Sequence, residues 1–187
     1  MRELALLTFI TLDGVMQAPK MPEEDWSGGF DQGGWADPYW EEVMALVGRE
    51  AMAEPYDVLF GRKTFDTFAA HASDDHPMNS FKKFVATSKP DNLGWQNSTA
   101  ITGDIPAEVA RLKQQDGPLL QVHGSWELIQ TLLSHDLVDE LRLWIFPVVA
   151  GRGKRLFETG TVPSKFGLVN TGSTSNGVLM GIYRRLA

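Results

Sequence analysis

Apolar positions along this chain follow two rhythms, short unbroken runs and spacings of three and four residues, and the two alternate from end to end. Leu4 to Ile10 is an apolar run of strand length, and Val58 to Phe60, Phe81 to Thr87, Thr99 to Thr102, Leu119 to His123 and Val138 to Phe146 read the same way. Between them lie helical patterns. Trp40, Val43, Met44 and Val47 fall at i, i+3, i+4 and i+7 behind Asp37-Pro38, which predicts a helix with Asp37 as N-cap and Pro38 in its first turn. Further helices are predicted from about Lys63, over Pro106 to Gln115 with Ile105, Val109 and Leu112 inward, and after Gly124-Ser125 with Leu128, Ile129, Leu132 and Leu133 inward. Lys165 to Val169 and Val178 to Arg184, joined through Ser175-Asn176-Gly177, predict a closing hairpin.

Strand, helix, strand order predicts an α/β fold, a mostly parallel sheet of about eight strands covered on both faces, with antiparallel strands only at the end. No internal repeat or linker interrupts it, so residues 1–187 are expected to form one domain. One connection is unusually long. Thr11 to Ala36 carries Trp26, Phe30 and Trp35 between the pairs Gly28-Gly29 and Gly33-Gly34, the content of a flexible flap that brings apolar contacts over a ligand.

Composition narrows the chemistry. The absence of cysteine excludes disulfides, thiolate metal sites and cysteine nucleophiles, and a formal net charge of −7 argues against general nucleic-acid binding. The first ten residues are too short an apolar run for a membrane span and lack the features of a secretory signal, so a cytoplasmic protein without membrane contact is expected. His71, His76, His123 and His135 show no metal-ligand spacing, and no metal is expected. Ser125 lacks the elbow of a hydrolase nucleophile.

Several turns at strand ends suit anions. Gly61-Arg62-Lys63-Thr64 offers a glycine, the free N–H groups of a helix start, two cations and a hydroxyl; Gly124-Ser125-Trp126-Glu127 offers a second such start. Ser88-Lys89 supplies a hydroxyl and a cation past a strand, and Gly151-Arg152-Gly153-Lys154-Arg155 a glycine-rich basic turn. Leu12-Asp13-Gly14 ends the first strand, where backbone groups suit a flat ring. Each segment taken singly also reads as an ordinary turn, N-cap or solvated loop. Their position at the carboxyl edge of one parallel sheet is what joins them, because ligands of open α/β sheets bind there.

With these motifs assembled, the chain resembles the dihydrofolate reductase superfamily, and within it the reductase domain of the bifunctional riboflavin-biosynthesis deaminase/reductase. The resemblance rests on Thr11-Leu12-Asp13-Gly14, Gly61 to Phe65, His123-Gly124-Ser125, Leu137 to Leu141 and Pro147-Val148 to Leu156-Phe157. It implies a three-layer sandwich, a homodimer and NADPH. Leu12, Asp13, Gly14, Gly61, Arg62, Lys63, Thr64, Ser88, Lys89, Gly124, Ser125, Trp126, Glu127, Gly151 and Gly153 are the implied cofactor residues. Trp35, Trp40 and Met44 are expected on the side of a heterocyclic, pyrimidine-like or pteridine-like substrate. The resemblance implies a reductase like 5-amino-6-(5-phosphoribosylamino)uracil reductase, with a true dihydrofolate reductase and a non-catalytic nucleotide-binding module as alternatives. Folate enzymes carry an acid on the first helix; Met44 stands nearest that place here, and Glu41, one turn earlier, is the candidate catalytic acid.

Overall fold

The computed structural model describes residues 1–186. Eight strands, β1 (Leu4–Thr11), β2 (Tyr56–Gly61), β3 (Lys83–Ala86), β4 (Ser98–Ile101), β5 (Leu119–His123), β6 (Glu140–Phe146), β7 (Phe166–Ser173) and β8 (Leu179–Arg185), form one sheet in the order β4-β3-β2-β5-β1-β6-β8-β7. The pairings from β4 through to β6 are parallel; β8 joins β6, and β7 joins β8, antiparallel. Four helices, α1 (Trp40–Ala51), α2 (Arg62–His71), α3 (Ile105–Lys113) and α4 (Trp126–Ser134), complete the three layers.

Because side chains alternate across a strand, each buried strand feeds both layers. Leu4, Leu6, Leu59, Leu120 and Val122 pack with Val109 and Leu112 of α3 and with Ile129 and Leu132 of α4. The opposite face divides in two. Leu7, Trp144 and Phe146 pack under Val43 and Val47 of α1, whereas Val58, Phe60 and Val85 pack with Phe65 of α2 and Trp95. The division between α1 and α2 leaves room for a cleft.

Two expectations are corrected. Asp37 does not cap α1: Asp37–Tyr39 form a separate 3-10 turn around Pro38, Tyr39 holds the cap position of α1, and the Asp37 carboxylate pairs with Lys20. Trp35 does not face a ligand either. It is buried against Phe146, ring centres 5.2 Å apart, and its indole N–H donates to the Gln17 carbonyl at 2.8 Å. The long connection is thereby pinned to the core, with the Gln17 amide also donating to the carbonyls of Asp25 and Ser27.

Candidate functional site

β2 and β5 are parallel neighbours, and each passes into a helix within two residues of its end. Gly61 is the cap residue of α2 and Ser125 that of α4, and the two turns are clipped together. The Ser125 N–H donates to Thr64 Oγ1 at 3.0 Å, while the Gly61 N–H donates to Ser125 Oγ at 2.8 Å. The Ser125 hydroxyl donates in turn to the His123 carbonyl at 3.1 Å. This geometry requires left-handed backbone at Gly124 (φ 54°) and Ser125 (φ 59°). A Cβ on Gly124 would meet Thr64 Cγ2 at 3.2 Å, so glycine is needed for both conformation and approach.

The clip leaves the helix starts open. Among the described residues, no side chain caps α2 or α4, whereas Asp104 caps α3 by accepting from the Ala107 N–H at 3.1 Å. First-turn N–H groups have no acceptor within their own helix, so two positive helix ends lie side by side.

Both ends line one cleft of about 630 Å³. Trp40, Met44 and Val47 of α1 form one wall; Phe68 of α2 with Pro77, Met78 and Phe81 forms the other; Leu7, Phe9, Tyr56 and His123 line it from the sheet. Gly61 to Thr64 and Gly124 to Leu128 line its anion-friendly end, where Lys63, Lys154 and Asp25 also stand. Asp25 accepts from Lys63 Nζ at 3.0 Å and from Lys154 Nζ at 2.7 Å. Burial works to raise the Asp25 pKa, but bonds from Lys154, Ser27 and Lys63 outweigh it and hold the carboxyl well below its ordinary range. A carboxylate of the chain therefore occupies the point at which two cations converge.

The structure brings together Gly61, Arg62, Lys63, Thr64, Gly124, Ser125, Trp126, Glu127, Trp40 and Met44, all of which line the cleft. It keeps the others outside that lining. Ser88 and Lys89 are exposed beyond it, joined to it through Arg62, whose Nη1 donates to the Lys89 carbonyl at 2.8 Å. Leu12 is exposed. Asp13 is spent on a bracket, accepting from the N–H groups of Ala150 at 3.0 Å and Gly151 at 2.8 Å, while the Gly14 carbonyl accepts from the Leu156 N–H at 2.9 Å. Gly153 belongs to the same bracket: a Cβ there would stand 2.8 Å from Phe30 and Val15. The bracket's service to the site is indirect, since it presents Lys154.

Glu41 is also misplaced by the sequence reading. Trp40 and Met44 share the helix face toward the cleft, and a residue turned about 100° from that face points outward; Glu41 is exposed and absent from the lining. The sequence reading missed His123, Tyr56 and Asp25. His123 carried a signal, a polar residue closing an apolar strand just before the Gly124-Ser125 turn; Asp25 carried none.

The fold and the paired helix starts define an α/β protein of the dihydrofolate reductase-like class. The family model described as the RibD C-terminal domain matches residues 2–180, and the chain belongs to that family. It is 30% identical over 192 residues to the uncharacterized protein YyaP of Bacillus subtilis (strain 168), covering 97% of this chain and 94% of that protein. It is 28% identical over 170 residues to the uncharacterized YwjB of the same organism, covering 91% of each. Among solved structures it is similar to a candidate riboflavin biosynthesis protein from Shewanella sp. PV-4, with TM-score 0.67, 21% identity and 100% of both chains covered. It is also similar to the Enterococcus faecalis dihydrofolate reductase complexed with NADP(H) and RAB-propyl, with TM-score 0.61, 15% identity and 99% and 97% covered. At these identities the two structures establish the fold. Among the described residues no helix is long and apolar enough to cross a membrane, and no three His, Asp or Glu side chains cluster as metal ligands.

Proposed function

We propose that this protein is an NADPH-dependent reductase acting on a pyrimidine-like or pteridine-like heterocycle. The observation that carries the reading is the clipped pair of uncapped helix starts, which opens with Lys63 and Lys154 into a cleft whose remaining walls are aromatic and aliphatic. An elongated ligand with a charged middle and flat ends suits such a cleft. Bound there, NADPH supplies a hydride. The first-turn N–H groups of α2 and α4 would hold its pyrophosphate, Arg62 with Lys89 its 2′-phosphate, and Trp40, Met44 and Phe9 would orient the substrate ring against the nicotinamide. Met44 rather than an acid on the cleft face of α1 disfavours an amidine-bearing folate, so 5-amino-6-(5-phosphoribosylamino)uracil is the better analogue of the substrate. We extend the proposal to a cytoplasmic protein and to a homodimer, the latter supported by Leu168 and Val169, which are more than half exposed on edge strand β7.

Asp25 supplies one test. A nucleotide phosphate at Lys63 and Lys154 must displace this carboxylate, so Asp25→Asn is expected to raise NADPH affinity about threefold to tenfold at low ionic strength. Calorimetric titration of the two proteins checks it; equal or weaker binding by the variant places the phosphate elsewhere. The activity itself is checked by NADPH oxidation with a panel of aminouracils, dihydropterins and dihydrofolate. Oxidation with aminouracils ahead of dihydrofolate is the expected result. NADPH binding without oxidation of any member would make the protein a nucleotide-binding module.

A further inference from the structure

A line of polar side chains crosses the sheet beneath the cleft. Glu140, which is buried, accepts from Arg142 Nε at 2.6 Å and from Arg184 Nη2 at 2.9 Å. Arg142 Nη1 donates to the Ala51 carbonyl at 2.8 Å and to Gln121 Oε1 at 2.9 Å. The latter bond crosses β1, where Ala5 stands between Gln121 and Glu140 in the register. Gln121 Nε2 then lies 2.9 Å from His123 Nε2.

Donor and acceptor roles along this line are fixed by chemistry. A guanidinium only donates, so the Gln121 atom facing it is the carbonyl oxygen, and the atom facing His123 is the amide nitrogen, which also only donates. His123 Nε2 must therefore accept, which leaves the ring proton on Nδ1. The imidazole is 5% exposed, and Nδ1 makes no hydrogen bond to the described residues. His123 lines the cleft, and its Nδ1–H is left without a protein acceptor among the described residues. Tyr56 stacks on the ring with centres 5.8 Å apart and planes 20° from parallel, fixing its orientation. Burial first, and then the Arg142 charge, press the His123 pKa down to about 4, in keeping with a neutral ring.

We infer that His123 is the specificity-determining hydrogen-bond donor of the cleft, its Nδ1–H held by the Gln121–Arg142–Glu140 line so as to select a heterocycle presenting a ring carbonyl oxygen over one presenting an amino group. The inference rests on the reductase reading for the substrate's location, and it concerns ligand choice rather than cofactor binding. An amino group offers a hydrogen atom to a hydrogen atom, whereas an oxo group completes the one bond the imidazole lacks.

The test uses 5,6-diaminouracil as the oxo probe and 2,4,5,6-tetraaminopyrimidine as its amino counterpart, titrated calorimetrically at pH 8 into the NADPH-saturated wild type and His123→Phe. The wild type is expected to favour the oxo probe by about tenfold, the worth of one such bond, and His123→Phe, saturated with NADPH, to lose that preference. Nitrogen-15 NMR of the wild type is expected to show a protonated Nδ1 whose signal moves when 5,6-diaminouracil is added. Retained preference in His123→Phe, or a proton on Nε2, overturns the inference even if NADPH binds. Should the variant not fold, the NMR result on the wild type decides alone. Loss of NADPH binding by the wild type would instead strike the reductase reading.

Discussion

Gly124→Val is expected to lower NADPH affinity by about 100-fold or more while leaving a folded protein. At φ 54° a residue with a Cβ sits in left-handed backbone, and a β-branched one cannot do so without strain. The new side chain would also press on Thr64 Cγ2, 3.2 Å from its Cβ. Relief requires residue 124 to leave the left-handed region, which pulls the Ser125 N–H from Thr64 Oγ1 and turns the start of α4 away from that of α2. Strain of this kind costs about 2–3 kcal/mol, a fall in Tm of about 5–10 °C for a domain of this size. Gly124→Ala, strained but unbranched, should fall between. Circular dichroism and thermal melts with and without NADPH separate the two effects: the Val variant melts cooperatively but gains no stability from the nucleotide. Full retention of binding would mean that the clipped turns do not grip a phosphate.

The second large effect lies at the opposite edge of the sheet. Arg2 and Asp57 form a buried pair, Nη2 to Oδ2 2.5 Å, with side chains only 3% and 9% exposed. Arg2 Nε also donates to the Pro118 carbonyl at 2.8 Å, and the guanidinium lies 5.8 Å from the Phe84 ring centre. Removing one partner strands the other charge away from water. Asp57→Ala is therefore expected to cost about 3–5 kcal/mol, whereas the double replacement Arg2→Met with Asp57→Leu leaves no charge unpaired and recovers most of that loss. Urea unfolding of the single and double variants measures the difference. Neither Arg2 nor Asp57 lines the cleft, so the double variant should bind NADPH as the wild type does. A single variant within 1 kcal/mol of wild type would show that the pair is not sealed from solvent.

Local patterns revealed most of the scaffold because local physics sets it. β5 is Leu119–His123 as its apolar run predicts, and the inner face of α4 is Leu128, Ile129, Leu132 and Leu133 because the helical period demands it. Gly61 and Gly124 were legible as turns for the same reason. What failed to show depends on partners far apart in sequence. Asp25 belongs to no motif, yet it joins Lys63 and Lys154 across the cleft. Nothing in the local pattern marks Lys83, yet it is fully buried, its Nζ held by the carbonyls of Phe81 and Gln96 and 4.5 Å from the Trp95 ring centre. Glu41 and Trp35 are expected at the site through the family resemblance, and packing decides otherwise: Phe146 claims the indole, and the pitch of α1 turns the carboxylate to solvent. The tautomer of His123 follows from Arg142, a residue on another strand, and no spacing along the chain encodes it.

Titration of the wild type with NADPH, followed by tryptophan emission, tests the central claim most directly, because Trp40 and Trp126 both line the cleft. The account predicts saturable quenching with micromolar affinity, about −8 kcal/mol, abolished in Gly124→Val and accompanied by a rise in Tm. Emission and Tm that stay unchanged at millimolar NADPH would contradict it.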